Sequence, residues 1–120
     1  MPIIGLGTDI VETGRIRDLF DREEAFGRRV FTNAELEYSL SRRGKYLHLA
    51  ARFAVKEAVA KALGRSFSWQ DVEVVNAPNG RPSVRLYGRA KRAAGNAQVH
   101  ISISHSKHYA SAVAVVEETP

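Results

Sequence analysis

Residues 46–63, YLHLAARFAVKEAVAKAL, constrain this chain more than any other segment. Alanine and leucine dominate the stretch and give up little side-chain freedom in a helix, and Gly64 then supplies a residue suited to ending one. The spacing predicts one long helix. Along it Phe53, Glu57 and Lys61 follow an i, i+4 row and stack on one face, whereas Lys56 points elsewhere. Phe53, Ala54, Ala58 and Ala60 indicate packing beside that row. Glu57 and Lys61 are then either a surface ion pair worth about 0.3–0.5 kcal/mol or a partly buried acid and amine with a chemical task.

The opening run 3–12 reads as a strand. With period two, Ile4, Leu6, Thr8 and Ile10 share one face, and Gly5, Gly7 and Asp9 share the other with Ile3 and Val11. Two glycines beside an acid suggest open space around that carboxylate, since such glycines mark close approach by a ligand or another backbone. Asp9 is either a strand-end residue capping the next helix or an acid directed into a cleft. Thr13 is expected to cap a helix over 14–21 with Ile16, Leu19 and Phe20 inward, and a short helix is expected over 23–29. Thr32 and Glu35 have the spacing of a capping box for a helix reaching Leu40. Residues 41–45 form a basic loop.

Strands are expected over 69–75, with Val72 and Val74 inward, and over 81–86, joined through Asn79-Gly80, a hairpin signal. A short basic helix over 89–94 ends at Gly95. Strands over 99–104 and 109–117 flank a polar turn around His105, whose neighbours Ser104, Ser106 and Lys107 make either an ordinary turn or a phosphate cradle. Strand groups separated by helices indicate an α+β fold, one domain over 1–120, with a largely antiparallel sheet packed by helices.

Composition narrows the chemistry. At 120 residues, with 44% hydrophobic and 26% charged, the chain suits one modest globular core. No cysteine is present, which excludes disulfides, thiolate zinc sites, iron–sulfur clusters and cysteine nucleophiles. No nucleophile elbow and no P-loop occur. The start of the chain lacks the pattern of a secretory signal, and the apolar run 110–116 is too short for a bilayer, so a cytoplasmic protein with no membrane association is expected. Lys and Arg number 18 against 13 for Asp and Glu, a net charge of +5, so a polyanionic partner is expected: nucleic acid, a phosphate-rich small molecule or an acidic protein. A nucleic-acid domain would lack paired aromatics for base stacking and would leave Asp9 and Glu57 without a role. A non-catalytic interaction domain is the third class. One hard cation such as Mg²⁺ takes one or two carboxylates plus phosphates, and Asp9 and Glu57 supply them if strand and helix meet.

Several separated motifs agree with one family. They are Gly7-Thr8-Asp9-Ile10-Val11-Glu12, Arg15-Ile16, Phe31-Thr32 with Glu35, and Arg52-Phe53-Ala54-Val55-Lys56-Glu57-Ala58 with Lys61-Ala62-Leu63-Gly64. Asn79-Gly80-Arg81-Pro82 and His100-Ile101-Ser102-Ile103-Ser104-His105 complete the series. Their order and spacing resemble the holo-acyl-carrier-protein synthases, the short 4′-phosphopantetheinyl transferases, over nearly the whole chain. The stretch Gly64-Arg65-Ser66-Phe67-Ser68-Trp69 departs from the pattern, being short and without the usual Gly-Thr-Gly.

The resemblance implies transfer of 4′-phosphopantetheine from coenzyme A to a serine of apo acyl carrier protein, releasing 3′,5′-ADP, in support of fatty acid biosynthesis. It implies Asp9 and Glu57 as Mg²⁺ ligands and Lys61 beside the phosphates. A metal-bound water or a carboxylate, Glu57 included, would take the serine proton. Arg52, His105, Asn79, Gly80, Arg81 and Pro82 would contact coenzyme A, joined by Arg43 and Lys45. The family's trimeric assembly implies active sites shared between subunits, and Arg15, Arg22 and Arg29 would meet the acidic carrier protein.

Overall fold

The computed structural model describes residues 2–120. Strand β1 (Ile3–Glu12) leads into α1 (Thr13–Arg22), α2 (Phe26–Val30) and α3 (Asn33–Leu40), and then into the long helix α4 (Lys45–Leu63). A single 3₁₀ turn (Trp69–Asp71) precedes the hairpin β2 (Val72–Asn76) and β3 (Pro82–Leu86), followed by α5 (Gly88–Ala94), β4 (Gln98–His105) and β5 (Tyr109–Glu117). All ladders are antiparallel, but they make two sheets instead of one: β1-β5-β4 and the β2-β3 hairpin. β3 passes beside β4 without joining its ladder.

Small residues explain how α4 lies on the three-stranded sheet. β5 turns Ala110, Ala112, Ala114 and Val116 inward, and α4 answers with Ala50, Ala51, Ala54, Ala58 and Ala62, all buried. On β1 two of the inward positions, Gly5 and Gly7, are glycines. A Cβ on Gly5 would stand 2.0 Å from the Ala62 carbonyl oxygen, and one on Gly7 would stand 2.0 Å from that of Ala58. The glycine face of β1 is therefore not open, contrary to the sequence expectation. It is filled by the backbone of α4, the second of the two causes such glycines have. The other face of β1 carries Ile4, Leu6 and Ile10 at 58%, 66% and 67% exposure.

Left-handed glycines bound α4. Gly44 (φ 74°) precedes it and Gly64 (φ 69°) follows it, where the Arg65 amide donates to the Ala60 carbonyl to close the last turn. The Thr32–Glu35 capping box forms at α3 as expected. Thr13 does not cap α1. Its own amide is taken by the His108 carbonyl at 2.8 Å, which draws Thr13 into the helix and leaves its hydroxyl buried and, among the described residues, unpartnered. The segment expected as a helix over 23–29 becomes helical only at Phe26, because Glu23 adopts an extended backbone in ending α1. Val72 and Val74 are buried as expected, but so is Glu73 between them.

Glu73 belongs to a buried polar cluster. The Lys56 ammonium lies 2.8 Å from Glu35, with both side chains almost fully buried, and donates to the Trp69 carbonyl at 2.9 Å and the Val72 carbonyl at 2.5 Å. Glu35 also accepts from the Thr32 and Val74 amides, and Glu73 accepts from Thr32 and Tyr87 hydroxyls. Two ions removed from water are tolerated only when their remaining hydrogen-bonding capacity is met, as it is here. The cluster ties α3, α4 and β2 together, and Phe53 stacks on Trp69 at 4.9 Å beside it.

Candidate active site

β1 and α4 meet, and the contact assembles the acids and amine singled out above. Gly7 lets the strand approach the helix at Ala58, and two residues further on Asp9 faces the same helix. The Lys61 ammonium donates to the Thr8 carbonyl at 3.0 Å and reaches Asp9 Oδ1 at 3.4 Å. Glu57, one turn before Lys61, is held above the usual carboxylate range. Partial burial is the main cause and the Asp9 charge the second, while Lys61 and Arg15 pull it part of the way back. Asp9 and Glu57 are thus neighbouring carboxylates whose repulsion the local cations relieve incompletely.

That donor set fits a hard cation. Two carboxylates supply oxygen ligands and leave further positions for phosphate oxygens and water, the arrangement Mg²⁺ favours. Among the described residues no group of three or more His, Asp and Glu side chains forms an all-protein cage. A cleft of about 230 Å³ opens beside Glu57, lined by Lys56, Ser66, Phe67, Ser68 and Trp69 among others.

A second cleft, of about 250 Å³, gathers Arg52, Gly80, Pro82 and His105 with Tyr38, His48, Asn76 and Ile103. Arg52 is only 3% exposed. It donates to Asn76 Oδ1 at 2.6 Å and to the His48 carbonyl, lies 4.3 Å from the centre of the Tyr38 ring, and leaves its Nε buried without a partner among the described residues. Arg42 also covers that ring, at 3.4 Å. Burial pushes the Arg52 pKa down, with Glu35 opposing. His48 is pushed down by burial and then by Arg52, Arg42 and His105. Asn76 links Arg52 to the hairpin loop, because its amide donates to the Gly80 carbonyl at 3.0 Å.

Four of the residues expected at coenzyme A therefore converge in one cleft, and four do not line it. Asn79 turns its side chain onto the Arg81 amide, Arg81 is exposed, Arg43 is exposed in the loop before α4, and Lys45 lies over Tyr46. Arg15 and Arg22 are exposed on α1, and Arg29 is exposed on α2. Arg15 is close enough to Glu57 to lower its pKa, so α1 borders the acidic site.

The two clusters do not touch. Asp9 is on edge strand β1, and its ladder position runs through Ala112 of β5 to Ile103 on the opposite edge strand β4. Two strand spacings amount to about 10 Å. Asp9, Glu57 and Lys61 occupy one flank of α4, and Arg52 with Ile103 and His105 occupies the other.

Sequence reasoning missed Tyr38, His48 and Asn76. His48 and Arg52 are i, i+4 partners on the long helix, a signal that was present, whereas Tyr38 and Asn76 reach the cleft only through tertiary contacts.

The family model of the 4′-phosphopantetheinyl transferase superfamily matches residues 5–114. Among curated relatives, a holo-[acyl-carrier-protein] synthase of Clostridium novyi is 44% identical over 121 residues, covering 96% of this chain and 88% of the relative. That of Protochlamydia amoebophila is 45% identical over 117 residues, covering 93% of this chain and 96% of its own. The crystal structure of a holo-(acyl-carrier-protein) synthase from Bacillus anthracis, in complex with CoA (3′,5′-ADP), superposes with a TM-score of 0.84 at 34% identity, covering 98% of both chains. The holo-ACP-synthase of Plasmodium yoelii gives 0.87 at 33% identity, covering 99% of this chain and 98% of its own.

Proposed function

The chain belongs to the holo-[acyl-carrier-protein] synthases of the 4′-phosphopantetheinyl transferase superfamily, and from that premise we propose that it moves 4′-phosphopantetheine from coenzyme A to a serine of apo acyl carrier protein in a Mg²⁺-dependent reaction. The observation that carries this reading is the convergence of Asp9, Glu57 and Lys61 where β1 crosses α4. The product supplies holo carrier protein for fatty acid biosynthesis in the cytoplasm.

The serine oxygen attacks the phosphorus of the phosphopantetheine group, and the bond to 3′,5′-ADP breaks. Negative charge grows on the transferred and leaving oxygens, so fixed positive charge at that point lowers the barrier. Lys61, anchored by the Thr8 carbonyl, brings an ammonium to the diphosphate. Asp9 and Glu57 would hold the Mg²⁺, which when bound neutralises charge on the diphosphate oxygens. A carboxylate of the site, Glu57 included, would receive the serine proton. No nucleophile is needed from this chain.

Arg52, Gly80, Pro82 and His105 would grip the nucleotide end of coenzyme A. They lie across α4 from Asp9, and one coenzyme A would span the acidic site of one subunit and the Arg52 cleft of another, in a homotrimer. The exposed apolar row Ile4, Leu6 and Ile10 supports such an assembly, since a lone subunit would leave it in water. Asn79, Arg81, Arg43 and Lys45, which do not line the cleft within one chain, would join coenzyme A at the rim of that shared site, and Arg15, Arg22 and Arg29 would meet the carrier.

Two experiments test these statements. Mg²⁺ is expected to raise the melting temperature of the native chain, and Asp9→Ala and Glu57→Ala are each expected to abolish both that rise and transfer. A Mg²⁺ shift retained in both variants would refute the metal assignment. Asp9→Ala and His105→Ala, each inactive alone, are expected to regain activity when their subunits are exchanged. No recovery after verified exchange would place each site within one chain.

A further inference from the structure

Three arginines outside both clusters share one cleft. Arg65, Arg89 and Arg92 line a depression of about 440 Å³ together with Ser66, Phe67 and Ala93, and among the described residues no acid lines it. Gly64, in its left-handed turn, directs the chain after α4 toward α5, so Arg65 joins the two arginines of that helix. All three are exposed, and among the described residues none is in an ion pair. Three unpaired guanidiniums repel one another, and that repulsion is relieved when an anion or an acidic surface covers them.

Helix dipoles do not account for the group. Arg92 stands in the last turn of α5 and Arg65 just past the end of α4, where a cation is favoured. Arg89 is the second residue of α5, at the end where a cation is disfavoured, yet it lines the same cleft.

The cleft adjoins the acidic site. Ser66 and Phe67 line both it and the depression beside Glu57. On the other side stands α1, which packs against α4 and β1 and carries the exposed Arg15. A protein that delivers a serine to the phosphorus must lie over this flank of α4, where it meets basic side chains on two sides, from α1 and from the α4–α5 cleft. We propose that Arg65, Arg89 and Arg92 form a second docking contact for the acidic face of the serine-bearing carrier protein, so that the carrier straddles the Glu57 site between two basic patches. This rests on the transfer reaction proposed above.

The test is the steady-state kinetics of the intact enzyme with Arg89→Glu/Arg92→Glu, the native chain and Lys91→Glu as control. Lys91 is on α5 but does not line the cleft, so its reversal changes the same helix by the same charge per residue. The double variant is expected to raise the KM for carrier protein on the order of tenfold, leave the KM for coenzyme A unchanged and flatten the salt dependence of carrier KM. Lys91→Glu is expected to do none of these to a comparable degree. An unchanged carrier KM in a folded double variant would overturn the docking contact, and so would a rise confined to coenzyme A, which would assign the cleft to a coenzyme A phosphate. Failure of the native chain to modify any carrier would instead refute the underlying reaction.

Discussion

Replacing Gly7 by alanine tests the contact on which the active site depends. Its Cβ would stand 2.0 Å from the Ala58 carbonyl oxygen and 2.8 Å from the Ala62 nitrogen, whereas ordinary contact begins near 3.4 Å. Both neighbours are backbone atoms of α4, so no side chain can rotate out of the way, and strand and helix must separate by roughly 1.4 Å at this point. Overpacking of this kind costs about 1–3 kcal/mol, and the rigid neighbours place Gly7→Ala at the upper end. For a chain of this size that lowers the melting temperature by roughly 10 °C. The same displacement draws Asp9 away from Glu57 and Lys61, and a shift of about 1 Å in a reacting group costs on the order of 100-fold in rate. Gly5→Ala meets the Ala62 carbonyl at the same 2.0 Å but lies four residues from Asp9, so it is expected to destabilise comparably with a smaller loss of turnover. Thermal unfolding by circular dichroism and single-turnover transfer, measured on both variants, decide the matter. Native stability and native turnover in Gly7→Ala would refute the idea that close backbone contact sets the geometry of the site.

Lys56→Met strands Glu35 as an unpaired buried acid and is expected to cost about 3–5 kcal/mol, read as a fall in melting temperature of 10 °C or more; a native melting curve would contradict the buried pair. Glu57→Gln is expected to abolish transfer while raising the melting temperature at neutral pH in the absence of Mg²⁺. A carboxyl whose folded pKa is raised binds its proton more tightly folded than unfolded, so its charged form opposes folding above that pKa. Stability of the native chain then rises as pH falls through the folded pKa toward 4.5, and the advantage of the glutamine disappears there; a Glu57→Gln protein less stable than native at pH 7 would reverse the sign. Arg15→Glu is expected to raise the KM for carrier protein and to reduce its sensitivity to salt, with little change in the KM for coenzyme A; an unchanged carrier KM across a salt series would remove α1 from the docking surface.

Much of this architecture was legible where the signal is local. The alanine-rich run and its terminal glycine mark α4, the Thr32–Glu35 spacing marks the start of α3, and Asn79-Gly80 marks the hairpin loop, in which Gly80 takes a positive φ. The row Phe53, Glu57, Lys61 was legible because helical periodicity alone puts those residues together. What escaped was set by distant partners. Glu35 completes a capping box, which accounts for a glutamate there without any need for burial, yet the same carboxylate also neutralises Lys56. Period two sorted the two faces of β1 correctly but could not say which is covered, and the bulkier one is the one left exposed. The glycines beside Asp9 suggested space for a ligand, whereas the space is occupied by α4 and the ligand-facing geometry arises one turn further along the helix.

Mass spectrometry of apo acyl carrier protein, incubated with coenzyme A, Mg²⁺ and the native chain, tests the proposed activity most directly. The carrier is expected to gain the mass of one phosphopantetheine, with 3′,5′-ADP released in equal amount and no gain when its acceptor serine is replaced by alanine. An unmodified carrier in the presence of folded protein and saturating coenzyme A would contradict the account.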